Sequence, residues 1–362
     1  MKVLISGGRT GGHLIPGIAL YLEAKKRKFD CLYAMSSFDP KYPIVSLINE
    51  SDRVIVDVKN ISRKLSWKTP IYIFKIIRSF FKIFKVIKHY NPDIVIITGG
   101  YISNPVALSA VLLKKPLYIL EQNSVAGITN RFYAKFARKV FTSFPKTEKI
   151  PEKKAIFSGN PSIFKKSINK EEAKKFFDVT DYPFVIGITS GSQGARIINR
   201  KIIELLSFFL NEKIALIWSA GSVEYEILFS RNQLKYFQEK FPNIRVSPFI
   251  EKMDYFFSAI DMVISRAGAT SISEIINYGV PYILIPIKNS PDNHQLKNAY
   301  FIMSKGGGFV WEEDKLENSV LKESITLLKE HNDLHRRKLK KLKDTIPEKP
   351  EEFIFDYITS SH

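Results

Sequence analysis

Short apolar runs rich in Val and Ile recur along the whole chain and alternate with segments of helical period. They are KVLIS, CLYAM, RVIVDV, DIVIITG, PLYILEQ and KVFTSF in the first half, then FVIGITS, IALIWSA, IRVSPFI, DMVISRA, PYILIPI and GFVW. Runs this short and apolar predict strands covered on both faces, and their alternation with helices predicts an α/β protein with parallel sheets. The order also repeats. VLISGGRTGGH opens the chain and VIGITSGSQGA returns near residue 185, each a buried strand running into a glycine loop and a helix, as at the start of a doubly wound domain. The turn-rich FSGNPSIFKKSINK lies between the repeats and places a boundary near residue 165. The expected organisation is one Rossmann-like domain over 1–164, a second over 165–345, and a last apolar helix over 346–362 that returns to the first.

KIIRSFFKIFKVIKHY, residues 75–90, breaks the uniform pattern by mixing apolar and cationic positions. At about 100° per residue, Lys75, Arg78, Lys82, Lys85 and Lys88 fall within roughly 140° of one another, and Ile76, Ile77, Phe80, Ile83, Phe84 and Ile87 cover the opposite arc. The segment is an amphipathic helix. It does not span a bilayer, since a span takes about 20 mostly uncharged residues and each cation at its centre costs about 2.5–3.5 kcal/mol. Phe74 and Phe81 project from the cationic side, as in a helix that lies on anionic lipid. The apolar arc is expected to build a domain core at the same time.

Composition narrows the class. At 362 residues, 45% hydrophobic and 25% charged, the chain is globular with room for two or three domains. Met1-Lys2 leads directly into VLIS, so no signal peptide is expected and the cytoplasm is the expected compartment. One cysteine, Cys31, excludes an internal disulfide framework and sits in a strand-like run, where a buried thiol is expected. The net charge of +19 is uneven: residues 1–150 carry 25 Lys and Arg against 9 Asp and Glu. A basic first half attracts nucleic acid, anionic membrane or a phosphorylated substrate. No helix-turn-helix, RNA-recognition or zinc-finger signature is present, so nucleic acid is not an expected partner.

Four glycine-bearing loops carry candidate chemistry. GGRTGGH (7–13) follows a strand and opens a helix, so its N–H groups and the helix dipole suit phosphate, while its spacing fits neither a Walker loop nor a dinucleotide fingerprint. His13 at its end either caps the turn or takes a proton near neutral pH. GGYISNP (99–105), SGSQGAR (190–196) and SRAGATSISE (265–274) also stand at strand ends, where ligands bind in open α/β sheets. In the last, Thr270 and Ser271 are placed to cap a helix start and donate to phosphate, and Glu274 to accept two ribose hydroxyls; TSISE also reads as a simple capping box. Together the loops predict a cleft between two domains that reads phosphate and sugar.

SGGRTGGHLIPGIAL, GGYISNPVALSA, EQNSVAGITNR, SGNPS, GSQGARIIN, FIEKM, RAGATSISEIINYGVPYILIPI and DNHQLKNA, taken in order and spacing, resemble the MurG family of N-acetylglucosaminyltransferases over roughly residues 1–310. The resemblance implies the GT-B fold, two Rossmann-like doubly wound domains facing a cleft. It implies transfer of N-acetylglucosamine from UDP-GlcNAc to lipid I, undecaprenyl-pyrophosphoryl-MurNAc-pentapeptide, giving lipid II at the cytoplasmic face of the membrane. Carried over by position, it puts Thr10, Gly11, Gly12 and Asn123 at the donor sugar with His13 at the reacting centre, and Ser192 on donor phosphate. Ile250 would hold uracil through its backbone, and Ala269, Thr270, Ser271, Ile272, Ser273 and Glu274 would cradle pyrophosphate and ribose. His294 and Gln295 would reach the sugar hydroxyls; Tyr101, Ser103 and Arg9 would meet the acceptor. The sequence departs from the family at Arg9 and Asn104, which replace usual glycines, and at Ile163, which replaces a common arginine.

The chemistry expected of such a site is inverting, metal-independent transfer to the MurNAc 4-hydroxyl with His13 as general base. The sequence holds no Asp-x-Asp, and helix N-termini with hydroxyls are able to stabilise a leaving pyrophosphate. No cofactor is implied. A lipid-borne acceptor brings the enzyme to an anionic membrane as a peripheral protein, with Trp67, Lys68, Phe74, Lys75, Phe81 and Lys82 as the expected contacts. Other wall-synthesis proteins are compatible partners. A UDP-GlcNAc 2-epimerase of related fold and a catalytically silent membrane-docking homologue are the competing readings.

Overall fold

The computed structural model describes residues 1–8, 10–56, 69–164, 167–189, 194–229 and 237–360, with side chains from residue 77 onward in the helix that begins at Thr69. It divides into two compact units, Met1–Ile163 with Pro347–His362, and Phe164–Ile346. Each is built on one wholly parallel sheet with the strand order of a doubly wound fold.

The first unit contains β1 (Lys2–Ser6), β2 (Asp30–Ser36), β3 (Arg53–Val56), β4 (Ile94–Ile97), β5 (Leu117–Glu121), β6 (Lys139–Thr142) and β7 (Ala155–Phe157), in the order β3-β2-β1-β4-β5-β6-β7. Alternation along each strand explains why its runs are apolar throughout. Val3 and Ile5 of β1, with Ile94 and Ile96 of β4, enter one core together with helix α1 (Gly11–Lys26). Leu4, Val95 and Ile97 enter the opposite core beside α2 (Thr69–Tyr90) and α3 (Ser103–Leu112). The terminal helix Pro350–Ser360 packs on α1 and seals the first core with Ile354, Phe355 and Ile358, all fully buried. Arg27 bonds Asp356 at 2.7 Å, and Lys26 bonds Glu352 at 2.7 Å, along the edge of that contact.

The second unit contains β8 (Phe184–Thr189), β9 (Ile214–Ser219), β10 (Ile244–Ser247), β11 (Met262–Ser265), β12 (Tyr282–Leu284) and β13 (Gly308–Val310), ordered β10-β9-β8-β11-β12-β13. Among the described residues, twelve of the thirteen strands coincide with the apolar runs read from the sequence. The exception, β7, has three half-buried residues at a sheet edge and makes no such run. Cys31 is buried in the first core as expected.

The amphipathic helix is α2, and it needs one correction. Ile83 and Ile87 are fully buried, but Ile77 is 47% exposed instead of lying in the core. It stands at the rim of the apolar arc, next to the cationic sector, where the sheet does not cover it. Phe81 is 57% exposed on the cationic side, and Lys82 is exposed while donating to the Ile55 carbonyl at 2.8 Å. Trp67 and Lys68, and the side chains of Phe74 and Lys75, lie outside the described residues. Among the described residues no helix is long and apolar enough to cross a membrane.

The packing predicts a contrast between two phenylalanines. Phe355→Ala empties a buried site and is expected to cost about 3–5 kcal/mol in denaturant unfolding of the first unit. Phe81→Ala is expected to stay within about 0.5 kcal/mol of the parent.

Candidate functional site

Both sheets reverse their winding direction beside their first strand, and the loops with candidate chemistry leave from those points. In the first unit the reversal lies between β1 and β4, which pair with Ser6 opposite Ile97. The chain leaves β1 through Gly7, where an added Cβ would sit 1.9 Å from Thr98 Oγ1, so only glycine lets the two loops touch. Thr10 is extended and exposed, and α1 starts at Gly11 with no side-chain cap. The first-turn N–H groups of Gly11 and Gly12 therefore stay unbonded among the described residues. Arg9 lies outside those residues.

His13 follows in the same first turn, half-buried. Its Nδ1 lies 2.7 Å from the Thr98 carbonyl oxygen and 3.2 Å from Gln122 Oε1. Both partners are acceptors, so Nδ1 carries the hydrogen and the neutral ring keeps its lone pair on Nε2. Nε2 has no hydrogen-bond partner among the described residues. The Thr98 hydroxyl donates to the His13 carbonyl at 2.9 Å and binds the helix to the loop a second time. Gly99 and Gly100 follow with φ of +97° and +77° and pass against the imidazole; a Cβ on Gly99 would lie 3.2 Å from His13 Cε1.

Around this ring the expected acceptor residues divide. Tyr101 is half-buried at the loop. Ser103 is fully buried, and its hydroxyl donates to the Gly99 carbonyl at 2.7 Å, which holds the loop instead of presenting the hydroxyl to a ligand. Asn123 is half-buried and fixed by Glu121, whose Oε1 accepts from its backbone N–H at 2.9 Å. Sequence reasoning missed Glu121 and Gln122. Glu121 is buried, and its other oxygen accepts from Gly127 N at 3.0 Å and Asn130 Nδ2 at 2.8 Å. A carboxylate ending an otherwise apolar buried run was the signal available for it. Ile163, in place of the family's usual arginine, packs against the first core.

In the second unit the register sets five strand ends level: Ser247 opposite Ser219, Ser219 opposite Thr189, Thr189 opposite Ser265, and Ser265 opposite Leu284. Ser192, after β8, lies outside the described residues. Gly194 beyond it has φ +81°, and a Cβ there would lie 2.6 Å from the Ala220 carbonyl oxygen. After β11 the helix Ala269–Tyr278 begins with Gly268 as its N-cap. Thr270 and Ser271 thus lie inside the first turn, and neither they nor Glu274 form a capping box. Ala269 and Ile272 face the core, Ser271 and Ser273 are half-buried, and the Thr270 hydroxyl is buried without a partner among the described residues.

Glu274 is 5% exposed and has no hydrogen bond or ion pair among the described residues. Burial, and secondarily the charge of Asp254, push its carboxyl from the usual 4.5 up to about 8. Ile250, after β10, is buried, and neither of its backbone groups is bonded by a described residue. His294 and Gln295 open the helix His294–Lys305 after a turn in which Asp292 and Asn293 both adopt positive φ. His294 Nδ1 lies 2.8 Å from the Pro291 carbonyl oxygen, and Gln295 Oε1 accepts from Ile287 N at 3.1 Å, leaving its NH₂ to donate elsewhere. Among the described residues no three His, Cys, Asp or Glu side chains are grouped to hold a metal ion.

Comparison with known proteins accounts for both halves. Residues 3–142 match the glycosyltransferase family 28 N-terminal domain and residues 185–348 the family 28 C-terminal domain. The UDP-N-acetylglucosamine--N-acetylmuramyl-(pentapeptide) pyrophosphoryl-undecaprenol N-acetylglucosamine transferase of Acetivibrio thermocellus is 35% identical over 92% of this chain and 91% of its own. The enzyme of the same name from Halalkalibacterium halodurans is 34% identical over 90% of each chain. Among solved structures, Acinetobacter baumannii MurG superposes with a TM-score of 0.75 at 24% identity, covering 99% of both chains. A Neisseria meningitidis UDP-GlcNAc 2-epimerase reaches 0.69 at 16% identity over 99% of this chain and 100% of its own. Such low identities speak for the fold alone, the two-domain GT-B architecture. The sequence relatives carry the assignment further: this chain is a glycosyltransferase and belongs to the MurG family.

Proposed function

We propose that the protein transfers N-acetylglucosamine from UDP-GlcNAc to the 4-hydroxyl of MurNAc in lipid I, with inversion and without a metal. The observation that carries this reading is the bond from His13 Nδ1 to the Thr98 carbonyl, which leaves a basic Nε2 at the switch point of the first sheet. As the anomeric C–O bond to UDP breaks, the acceptor 4-oxygen bonds that carbon and its proton passes to His13 Nε2. The charge left on pyrophosphate falls to the N-terminus of Ala269–Tyr278, with the Thr270 and Ser271 hydroxyls and Ser192 as donors. Glu274 takes the ribose hydroxyls, the Ile250 backbone takes uracil, and Thr10, Gly11, Gly12, Asn123, His294 and Gln295 hold the sugar. Tyr101 and Arg9 serve the acceptor.

The membrane reading rests on α2 and its neighbours. Phe81 and Ile77 on α2, Leu108 and Leu112 on α3, and Phe132 and Phe136 beyond it are exposed apolar side chains on successive elements. Arg78, Lys82, Lys85 and Lys88 are exposed among them, which suits a peripheral protein on the anionic cytoplasmic leaflet.

Three outcomes are expected. With UDP-GlcNAc and a lipid I analogue in EDTA, wild type yields the disaccharide product, and His13→Ala lowers kcat by about 10²–10⁴-fold; formation of UDP-ManNAc instead would assign an epimerase. Each basic residue near an anionic surface is worth about 1 kcal/mol, so K82E/K85E/K88E should weaken binding to phosphatidylglycerol vesicles at low salt by roughly a hundredfold or more. Unchanged binding would remove α2 from the interface.

The third concerns Glu274. Between the usual 4.5 and about 8 the folded protein keeps a proton that the unfolded chain releases, so this group makes stability fall as pH rises through that window. Glu274→Gln should therefore raise the melting temperature more at pH 8.5 than at pH 5, while abolishing donor binding. A carboxylate, with two acceptor oxygens, suits a ribose diol better than the acid form. UDP-GlcNAc affinity should thus increase from pH 6.5 to 8.5 in wild type, and calorimetry at pH 7 in buffers of different ionisation enthalpy should show proton release on binding.

A further inference from the structure

We propose that Gln122 is a positioning residue for this reaction: together with the Thr98 carbonyl it clasps His13 Nδ1–H, fixes the plane and tautomer of the ring, and steadies the ring as it becomes charged. The proposal rests on the reading of His13 as the base.

The orientation of the Gln122 amide follows from its neighbours. Its Nε2 donates to the Leu120 carbonyl at 3.3 Å, which leaves Oε1 toward Nδ1 at 3.2 Å. Turning the amide over would set NH₂ against Nδ1–H and oxygen against oxygen, losing both bonds. The side chain is 1% exposed, so water does not replace a lost partner. Nδ1–H thus faces two acceptors. In the neutral ring one is enough; in the imidazolium the N–H is a stronger donor, and both acceptors stabilise the positive charge that arises when Nε2 takes the hydroxyl proton.

Among the described residues no charged side chain bonds the ring. The titratable groups on the loops around it are Tyr101 and Glu121, with Asp39 beside Gly8. Glu121 is adjacent to Gln122 in sequence, but both of its oxygens are turned to Asn123, Gly127 and Asn130. It anchors the segment from which Gln122 reaches the ring. The place that a carboxylate fills behind many catalytic histidines is here taken by an uncharged amide and a backbone carbonyl.

The test uses the full-length protein, with folding of each variant followed by thermal unfolding. Gln122→Met removes the acceptor at similar volume; it is expected to lower kcat about 10- to 100-fold with KM for UDP-GlcNAc unchanged, and to shift the acid limb of the pH–kcat profile downward. Gln122→Glu restores an acceptor and adds charge, and should move that limb up by about 1–3 units. Nitrogen-15 shifts of the His13 ring, assigned by their loss in His13→Ala, report tautomer and titration without turnover. In wild type they should show hydrogen on Nδ1, and in Gln122→Met a mixture of tautomers. Ring shifts and profiles that match wild type in both variants would overturn the proposal. If His13→Ala stays active while the ring shifts still respond to Gln122, the base assignment fails and the hold of Gln122 on the ring stands.

Discussion

The bond between His13 Nδ1 and the Thr98 carbonyl is the interaction on which the first half-site depends. It joins the first turn of α1 to the end of β4, two elements that meet because the sheet changes winding direction between β1 and β4. Every unusual local feature nearby serves that approach. Gly7 has no room for a side chain, Gly99 and Gly100 take left-handed conformations, and the Ser103 and Thr98 hydroxyls donate to backbone. An imidazole on a free loop would sample both tautomers. Held here, it offers one nitrogen, in one direction.

The second half-site is organised by absence of partners. Helix Ala269–Tyr278 begins just past the level ends of five strands, and the Thr270 hydroxyl and Glu274 carboxyl are buried there without bonds among the described residues. Burying such groups costs free energy that neighbouring packing has to offset. A nucleotide sugar carries the hydroxyls and phosphate oxygens that would complete them. On the proposed reading, donor binding would supply those partners and stabilise the unit.

Much of the fold was legible because strand burial on both faces writes itself into the chain as uninterrupted apolar runs. What failed was decided by neighbours distant in sequence. β7 lies at an edge and needs little apolar surface. Ile77 satisfies the helical period yet lies beyond the reach of the sheet. The motif residues His13, Glu274 and Ile250 were named from spacing and resemblance, but the partners that give His13 its tautomer lie 85 and 109 positions away, just past the ends of strands that the apolar pattern identifies without revealing what those ends touch. TSISE read as a capping box because the pattern cannot tell that Gly268 already starts the helix.

The terminal helix adds a constraint on how the molecule is made. Ile354, Phe355 and Ile358 complete a core whose other members lie between Val3 and Phe141. On a ribosome, all of the second unit is synthesised before these three side chains exist. The later-encoded unit is therefore able to reach its native packing first, while the earlier one waits with an open apolar seam along α1. Such an order inverts the usual front-to-back maturation of multidomain chains.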